Sequence, residues 1–109
     1  ALVSDRDLSK SGVDVSFFGH PARMPAGAAV LAVRTGIPLI TAHVSYTATG
    51  IHIKFNSVEI PADGSESEKI SIVVQKCADL FAQGIGSAPQ DWHMLQRIWI
   101  DGDFQERSA

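Results

Sequence analysis

A charged cluster near the start of the chain carries the first side chains that could do chemistry. Asp5, Arg6 and Asp7 come after the apolar run at residues 1–3, with Ser4 between them. Carboxylates can exchange protons and a guanidinium can hold a phosphate. Open α/β sheets keep their ligand crevices beyond the ends of strands. The pattern is compatible with contact with a ligand and equally with a surface turn that contains a local salt bridge.

A second candidate site lies around Arg23, just ahead of a predicted helix start that contains Gly27. Free backbone N–H groups and the helix dipole favour an anion at such a place. Arg23 and Gly27 are therefore predicted to contact a phosphate, unless Arg23 is an ordinary exposed arginine. His20 stands beside the same loop, and histidine is a common general acid or base in enzymes, so it is a candidate for direct participation. Its alternative role is that of a plain polar turn residue.

The other histidines offer weaker chemistry. His43 and His52 fall within predicted strands, and no spaced cluster of Cys, His or carboxylate accompanies them. We predict a structural role for both and no metal site. His93 lies between Trp92 and Trp99, which are placed either to meet a membrane interface or to close the core. We favour core closure.

The elements that must position these residues follow from hydrophobic spacing. Strands are predicted at residues 13–18, 38–46 and 51–56, the second an interior strand beside the first and the third an antiparallel edge strand. Helices are predicted at 26–35, between a proline and a glycine, and from a capping box at Ser65 and Glu68 to about Gly84 or Gly86. Residues 91–99 are predicted to form a last helix. The expected fold is α/β, a mixed sheet flanked by helices.

Length and composition suit a single domain over residues 1–109, since 45% of the residues are hydrophobic. The net charge of −3 arises without basic runs, which argues against nucleic acid as a partner. Cys77 has no second cysteine to pair with and is predicted to be a buried apolar residue.

The sequence contains no window near the roughly 20 apolar residues that span a bilayer, and no charged segment leads into a signal-like apolar core. We therefore expect neither insertion nor export. The run at residues 1–3 lacks an initiator Met and is typical of the end of a buried strand. We expect a longer protein to continue upstream of it.

Three segments carry a resemblance to a known family. They are SDRD at residues 4–7, VSFFGHPARMPAG at 15–27 and PQDWHMLQRIW at 89–99. Together they resemble the bacterial lauroyl-type lipid A acyltransferases and, more closely, the actinobacterial phosphatidylinositol mannoside acyltransferases, over about residues 3–99. The resemblance implies the C-terminal portion of a longer acyltransferase with a glycerolipid-acyltransferase-like fold. The segment at 15–27 is the most specific of the three.

The resemblance also implies a division of labour within the active site. In the family, a histidine with an acidic residue five positions later removes the proton of the acceptor hydroxyl, while basic groups and backbone donors hold phosphates and the developing oxyanion. The residues five positions after the four histidines are not acidic; they are Pro25, Ala48, Ser57 and Ile98. The motif is expected upstream, and the isolated 109-residue chain is expected to be inactive.

The resemblance leaves only supporting roles to these residues. It implies substrate binding by Arg6, Arg23 and Gly27, and supporting catalytic roles for Asp5, Asp7 and His20. The wider superfamily has a glutamate where Gly19 or His20 stands and a proline where Thr41 stands. No catalytic glutamate is carried over.

The expected function is part of an acyl-CoA-dependent O-acyltransferase acting on a membrane glycolipid such as a phosphatidylinositol mannoside. Acyl-CoA is the expected co-substrate, and no other cofactor is implied. The expected location is the cytoplasmic face of the cell membrane, with peripheral contact and self-association of the isolated chain. The alternatives are a non-catalytic α/β binding or assembly module, or an acyltransferase for a lipid A-like or glycerolipid acceptor.

Overall fold

The first described element is a tight β-hairpin. The computed structural model describes residues 12–92 and residue 99. Strands β1 (Val13–Phe17) and β2 (His20–Met24) pair antiparallel, with Phe17 opposite His20. Phe18 and Gly19 form the connection with φ values of 53° and 76°, the left-handed pair of a type I′ turn. Strand β1 was predicted, but β2 was missed because its start looked like the end of β1.

An amphipathic helix covers the hairpin. Helix α2 (Glu66–Ser87) begins at Ser65, whose hydroxyl accepts a hydrogen bond from the Glu68 backbone N–H at 3.2 Å. This hydrogen bond confirms the predicted cap. The helix ends at Ser87, close to the predicted end at about Gly84 or Gly86. The buried positions, Val73, Val74, Ala78 and Ile85, are spaced one, four and seven residues apart and so share one face. That face packs against the buried side of the hairpin.

The open edge of β1 is closed by a side chain of α2. Gln75 accepts from the Ser16 backbone N–H at 2.8 Å and donates to the Ser16 carbonyl at 2.9 Å. A strand edge with unpaired backbone groups is a template for aggregation, and this amide occupies both groups of one residue. The contact also fixes α2 in register along β1.

A short helix precedes the second sheet. Helix α1 (Gly27–Thr35) ends at Gly36, which has φ 71° and donates its N–H to the Ala32 carbonyl at 3.0 Å. The predicted position between a proline and a glycine is confirmed. Arg34 near its end forms an ion pair of 2.8 Å with Glu66 at the start of α2. Both side chains are at least half exposed, so this pair contributes little stability.

The second sheet is also a two-stranded antiparallel pair. Strands β3 (Leu39–Tyr46) and β4 (Ile51–Val58) are joined by a turn closed by the Thr47 N–H to Gly50 carbonyl hydrogen bond. The predicted antiparallel arrangement of the second of these strands is confirmed. The α/β class is also confirmed, but the described strands form two separate pairs instead of one mixed sheet.

Two predictions about β3 are wrong. It pairs with β4 and not with β1, because β2 occupies one edge of β1 and the Gln75 amide bonds to the other. It is also not an interior strand, since Ile40, Val44 and Tyr46 are 56%, 49% and 66% exposed. These side chains share a face with Ile51 and Ile53 of β4, so the outward face of this sheet is apolar.

The predicted last helix is not found at its described ends. A single turn of 3-10 helix spans Pro89–Asp91, and Trp92 is already extended. Trp99 forms an isolated antiparallel bridge with Ala22 of β2. Residues 93–98 lie outside the described part of the chain.

Candidate functional site

A large apolar cavity lies between the two sheets and the two helices. Its volume is about 780 Å³, and its walls come from the end of β2, from α1, from β3 and from the buried face of α2. Most lining side chains are aliphatic or aromatic. Ligand pockets commonly measure about 300–1,000 Å³ and combine apolar walls with a few polar groups. This cavity is therefore the strongest candidate site among the described residues.

The small residues of α1 keep the cavity open. Ala28 and Ala29 lie four and three residues before Ala32, so all three share the face of α1 that lines the cavity. Alanine side chains leave room that leucines at the same positions would fill. The alanine-rich run that predicted a buried helix therefore also explains why space remains beside it.

Few polar groups line this cavity, and two of them are already hydrogen-bonded within the protein. The Thr41 hydroxyl donates to the Asn56 carbonyl at 3.4 Å, and an Asp91 carboxylate oxygen accepts from the Tyr46 N–H at 3.1 Å. His43 differs, because its Nε2 is buried and has no hydrogen-bond partner among the described residues. Burial also raises the pKa of the Cys77 thiol, which keeps that side chain neutral.

The position of His43 depends on a glycine of α2. A Cβ atom at Gly84 would lie 2.5 Å from Cγ, 2.6 Å from Nδ1 and 2.8 Å from Cδ2 of the His43 ring. Real structures do not show such distances, so only glycine lets α2 approach the ring this closely. Sequence reasoning assigned His43 a structural role and treated Gly84 as a helix end. The signal that could have linked them is a glycine inside an otherwise strong helix.

The predicted anion site is arranged differently from expectation. Arg23 lies within β2 and pairs across the hairpin with Asp14, at 3.1 Å between Nε and Oδ1. Gly27 is the first residue of α1, and the preceding Ala26 provides no side-chain cap. The Arg23 side chain is 14% exposed, whereas that of Asp14 is 68% exposed. The guanidinium is thus held by a carboxylate that water also reaches.

His20 is not brought next to Arg23. The two residues are three positions apart in β2, so their side chains leave opposite faces and their backbones are separated by about 10 Å. His20 is exposed at the end of the hairpin. Asp5, Arg6 and Asp7 lie outside the described residues, as does His93. The roles predicted for all these side chains remain predictions.

The two tryptophans close the core over the hairpin. Phe17 has its ring centroid 6.1 Å from that of Trp92 and 5.9 Å from that of Trp99. The Trp99 indole also donates to the Phe17 carbonyl at 2.8 Å. The favoured interpretation of these residues, core closure, agrees with this packing.

Residues 12–92 and Trp99 show neither a metal-binding cluster nor a membrane-spanning helix. They contain no cluster of three or more His, Cys, Asp or Glu side chains that could hold a metal ion. They also contain no helix whose length and hydropathy would carry it across a bilayer.

Comparison with known proteins shows the family to which this α/β unit belongs. The chain belongs to the bacterial lipid A biosynthesis acyltransferase family, whose model covers residues 1–100. The family resemblance seen in the three sequence segments is thus confirmed.

The names of the similar curated proteins are more specific than the description of the family. The chain is 41% identical, over 108 residues and 99% of its length, to a phosphatidylinositol mannoside acyltransferase of Mycobacterium tuberculosis strain H37Rv. It is also 41% identical over 108 residues to the phosphatidylinositol mannoside acyltransferase of Mycolicibacterium smegmatis. The chain spans about a third of the length of these relatives, 33% and 34%.

Proposed function

We propose that this chain forms part of an O-acyltransferase and that its cavity holds the acyl chain during transfer. The observation that carries the proposal is the apolar cavity of about 780 Å³ in a member of this family. Burying one methylene contributes about 0.8 kcal/mol, so an aliphatic chain is the ligand that such walls bind best. The small side chains on the alanine face of α1 leave space for the acyl chain.

The proposed donor is acyl-CoA and the proposed acceptor is a membrane glycolipid such as a phosphatidylinositol mannoside. The names of the curated relatives support this acceptor, since they are phosphatidylinositol mannoside acyltransferases. A lipid A-like sugar or a glycerolipid is the alternative acceptor, which the family description supports.

The proposed chemistry is direct transfer from the thioester to the acceptor hydroxyl. The hydroxyl oxygen forms a bond to the acyl carbon, the carbon–sulfur bond breaks, and the hydroxyl proton leaves by way of a general base to the coenzyme A thiolate. A histidine followed five positions later by an acid does not occur in these 109 residues. The base is therefore proposed to come from another part of the full-length protein, and the isolated chain is proposed to be inactive.

In this proposal the supporting residues bind charged groups of the substrates or assist catalysis. Arg6, Arg23 and Gly27 are proposed to contact phosphate groups of the substrates, and Asp5, Asp7 and His20 are proposed to have supporting catalytic roles. For Arg23 the ion pair with Asp14 fixes the guanidinium at the surface of the hairpin. A phosphate that binds there replaces the exposed carboxylate as the partner of an arginine that is already ordered.

The location and assembly proposed here rest on an apolar surface. The outward face of the β3–β4 sheet exposes Tyr46, Ile51 and Phe55 by 66%, 60% and 67%. Exposed apolar patches mark interaction surfaces. We propose peripheral contact at the cytoplasmic face of the membrane for the full-length protein, and self-association for the isolated chain. Size-exclusion chromatography of the isolated chain checks the latter, and a clean monomer would count against it.

A transfer assay tests the proposed activity. Full-length protein is incubated with radiolabelled hexadecanoyl-CoA and vesicles that contain phosphatidylinositol mannoside, and the products are separated by thin-layer chromatography. We expect label in the glycolipid, and none when the isolated 109-residue chain replaces the full-length protein. Turnover by the isolated chain would show that the general base lies within it. Label that appears only in a lipid A or glycerolipid acceptor would mean that the proposed acceptor is wrong and that the proposed acyl transfer is right.

A further inference from the structure

We propose that His43 Nε2 donates a hydrogen bond to the carbonyl oxygen of an acyl ester or thioester bound in the cavity. This inference rests on the proposed function and extends it, because it assigns the polar end of the ligand to one atom of this chain. His43 is a positioning residue in this account. It fixes where the acyl chain begins and therefore how much of the chain enters the cavity.

The first support is the unused hydrogen-bonding capacity of His43. Its Nε2 is buried, lacks a hydrogen-bond partner within the described part of the chain, and belongs to a side chain that lines the cavity. Buried polar atoms in native proteins are nearly always bonded, and an unbonded one calls for a ligand or a water. A carbonyl oxygen brought in by the ligand supplies the acceptor that this nitrogen lacks.

The second support is the rigid placement of the ring. The His43 atoms nearest to a Cβ built at Gly84 are Cγ, Nδ1 and Cδ2, so the ring packs against α2 at this glycine and Nε2 is not among its three closest atoms. His43 sits opposite Lys54 in the β3–β4 register, on the face of β3 shared with the buried Thr41. An imidazole held between a strand and a glycine of a helix is ordered before the ligand arrives. Such preorganisation lowers the entropic cost of the hydrogen bond.

The third support is the chemistry of the neighbours. The Thr41 hydroxyl and the Asp91 carboxylate already have backbone partners, so they offer less to a ligand. The Asp91 carboxylate faces the same cavity and disfavours a second negative charge there. A neutral acyl carbonyl fits this environment better than a free carboxylate does.

The test compares two ligands of the same chain length, of which one carries a carbonyl group and the other does not. Methyl dodecanoate carries the acceptor oxygen, whereas dodecyl methyl sulfide keeps the chain and offers only a thioether, which is a weak acceptor. Binding to the 109-residue chain is followed by tryptophan fluorescence, since Trp92 lines the cavity. We expect the wild-type chain to prefer the ester by about five- to tenfold. His43→Leu should reduce this preference to less than twofold, and His43→Gln, which keeps a donor, should retain most of it.

A second pair of variants keeps the test valid if His43→Leu does not fold. Gly84→Ala must displace the imidazole, whereas Gly86→Ala in the same helix meets no described atom within 4 Å. The preference for the ester should fall in Gly84→Ala and stay unchanged in Gly86→Ala. If neither ligand binds the wild-type chain, the proposed function of the cavity fails together with this inference. If both bind equally well, or if His43→Leu keeps the full preference, the cavity stands and the role of His43 is refuted.

Discussion

Replacing Phe17 by alanine is expected to lower the free energy of unfolding by about 3–5 kcal/mol, the range for deleting a fully buried aromatic ring. Phe17 is completely buried, and its ring contacts the rings of Trp92 and Trp99. The loss of the ring leaves a void between β1 and the segment that follows α2. Urea denaturation followed by far-UV circular dichroism measures the change.

The matched control is the same substitution at an exposed phenylalanine. Phe55 is 67% exposed on the outer face of β4, so Phe55→Ala should change the free energy of unfolding by no more than about 0.5 kcal/mol. A similar loss in both variants would mean that the aromatic cluster around Phe17 is not the centre of the core. A small effect at Phe17 alone would have the same meaning.

Replacing Ala32 by phenylalanine is expected to reduce the affinity for a 16-carbon acyl methyl ester by roughly 100-fold. Ala32 is 4% exposed and lies on the face of α1 that lines the cavity. A phenyl ring placed there occupies the room of about three or four methylenes, each contributing about 0.8 kcal/mol to binding. Titrations with esters of 8 to 16 carbons measure the effect.

The dependence on chain length separates this effect from general damage. The 8-carbon ester should lose less than threefold in affinity, because a short chain does not reach the blocked region. Ala48→Phe is the control, since Ala48 is exposed in the turn between β3 and β4 and does not line the cavity. Equal losses for all chain lengths in Ala32→Phe would indicate that the variant is misfolded or that the chain binds elsewhere.

The helices and the second hairpin could be predicted because their signals are local. Ser65 with Glu68 marks the start of α2, Gly36 marks the end of α1, and the alternation after Gly50 marks β4. Each signal depends on backbone hydrogen bonds or side-chain spacing within one element. These predictions therefore depend little on how the elements pack against one another.

The first hairpin was only half predicted because its turn breaks a local preference. A left-handed φ of 53° is unusual for a bulky residue such as Phe18, and its sequence therefore gives no turn signal at that position. The Phe18 ring packs edge-on against Phe17 at 4.7 Å between centroids. This tertiary contact, together with Gly19, favours the turn, and neither periodicity nor propensity could show it.

The site depends still more on contacts between distant segments. The pairing of Arg23 with Asp14 follows from the hairpin register, and the placement of His43 follows from Gly84, which is 41 positions away in sequence. Sequence spacing identified Arg23 as a candidate and passed over His43. The cavity arises from the way α1, α2 and β3 pack together, so no sequence motif predicts it.

The most direct test of the account is a crystal structure of the chain bound to methyl dodecanoate. The account predicts electron density for the aliphatic chain between α1, α2 and β3, beside Ala32, with the ester carbonyl within hydrogen-bond distance of His43 Nε2. Density for the ligand on the outer face of the β3–β4 sheet, with the cavity still empty, would contradict it.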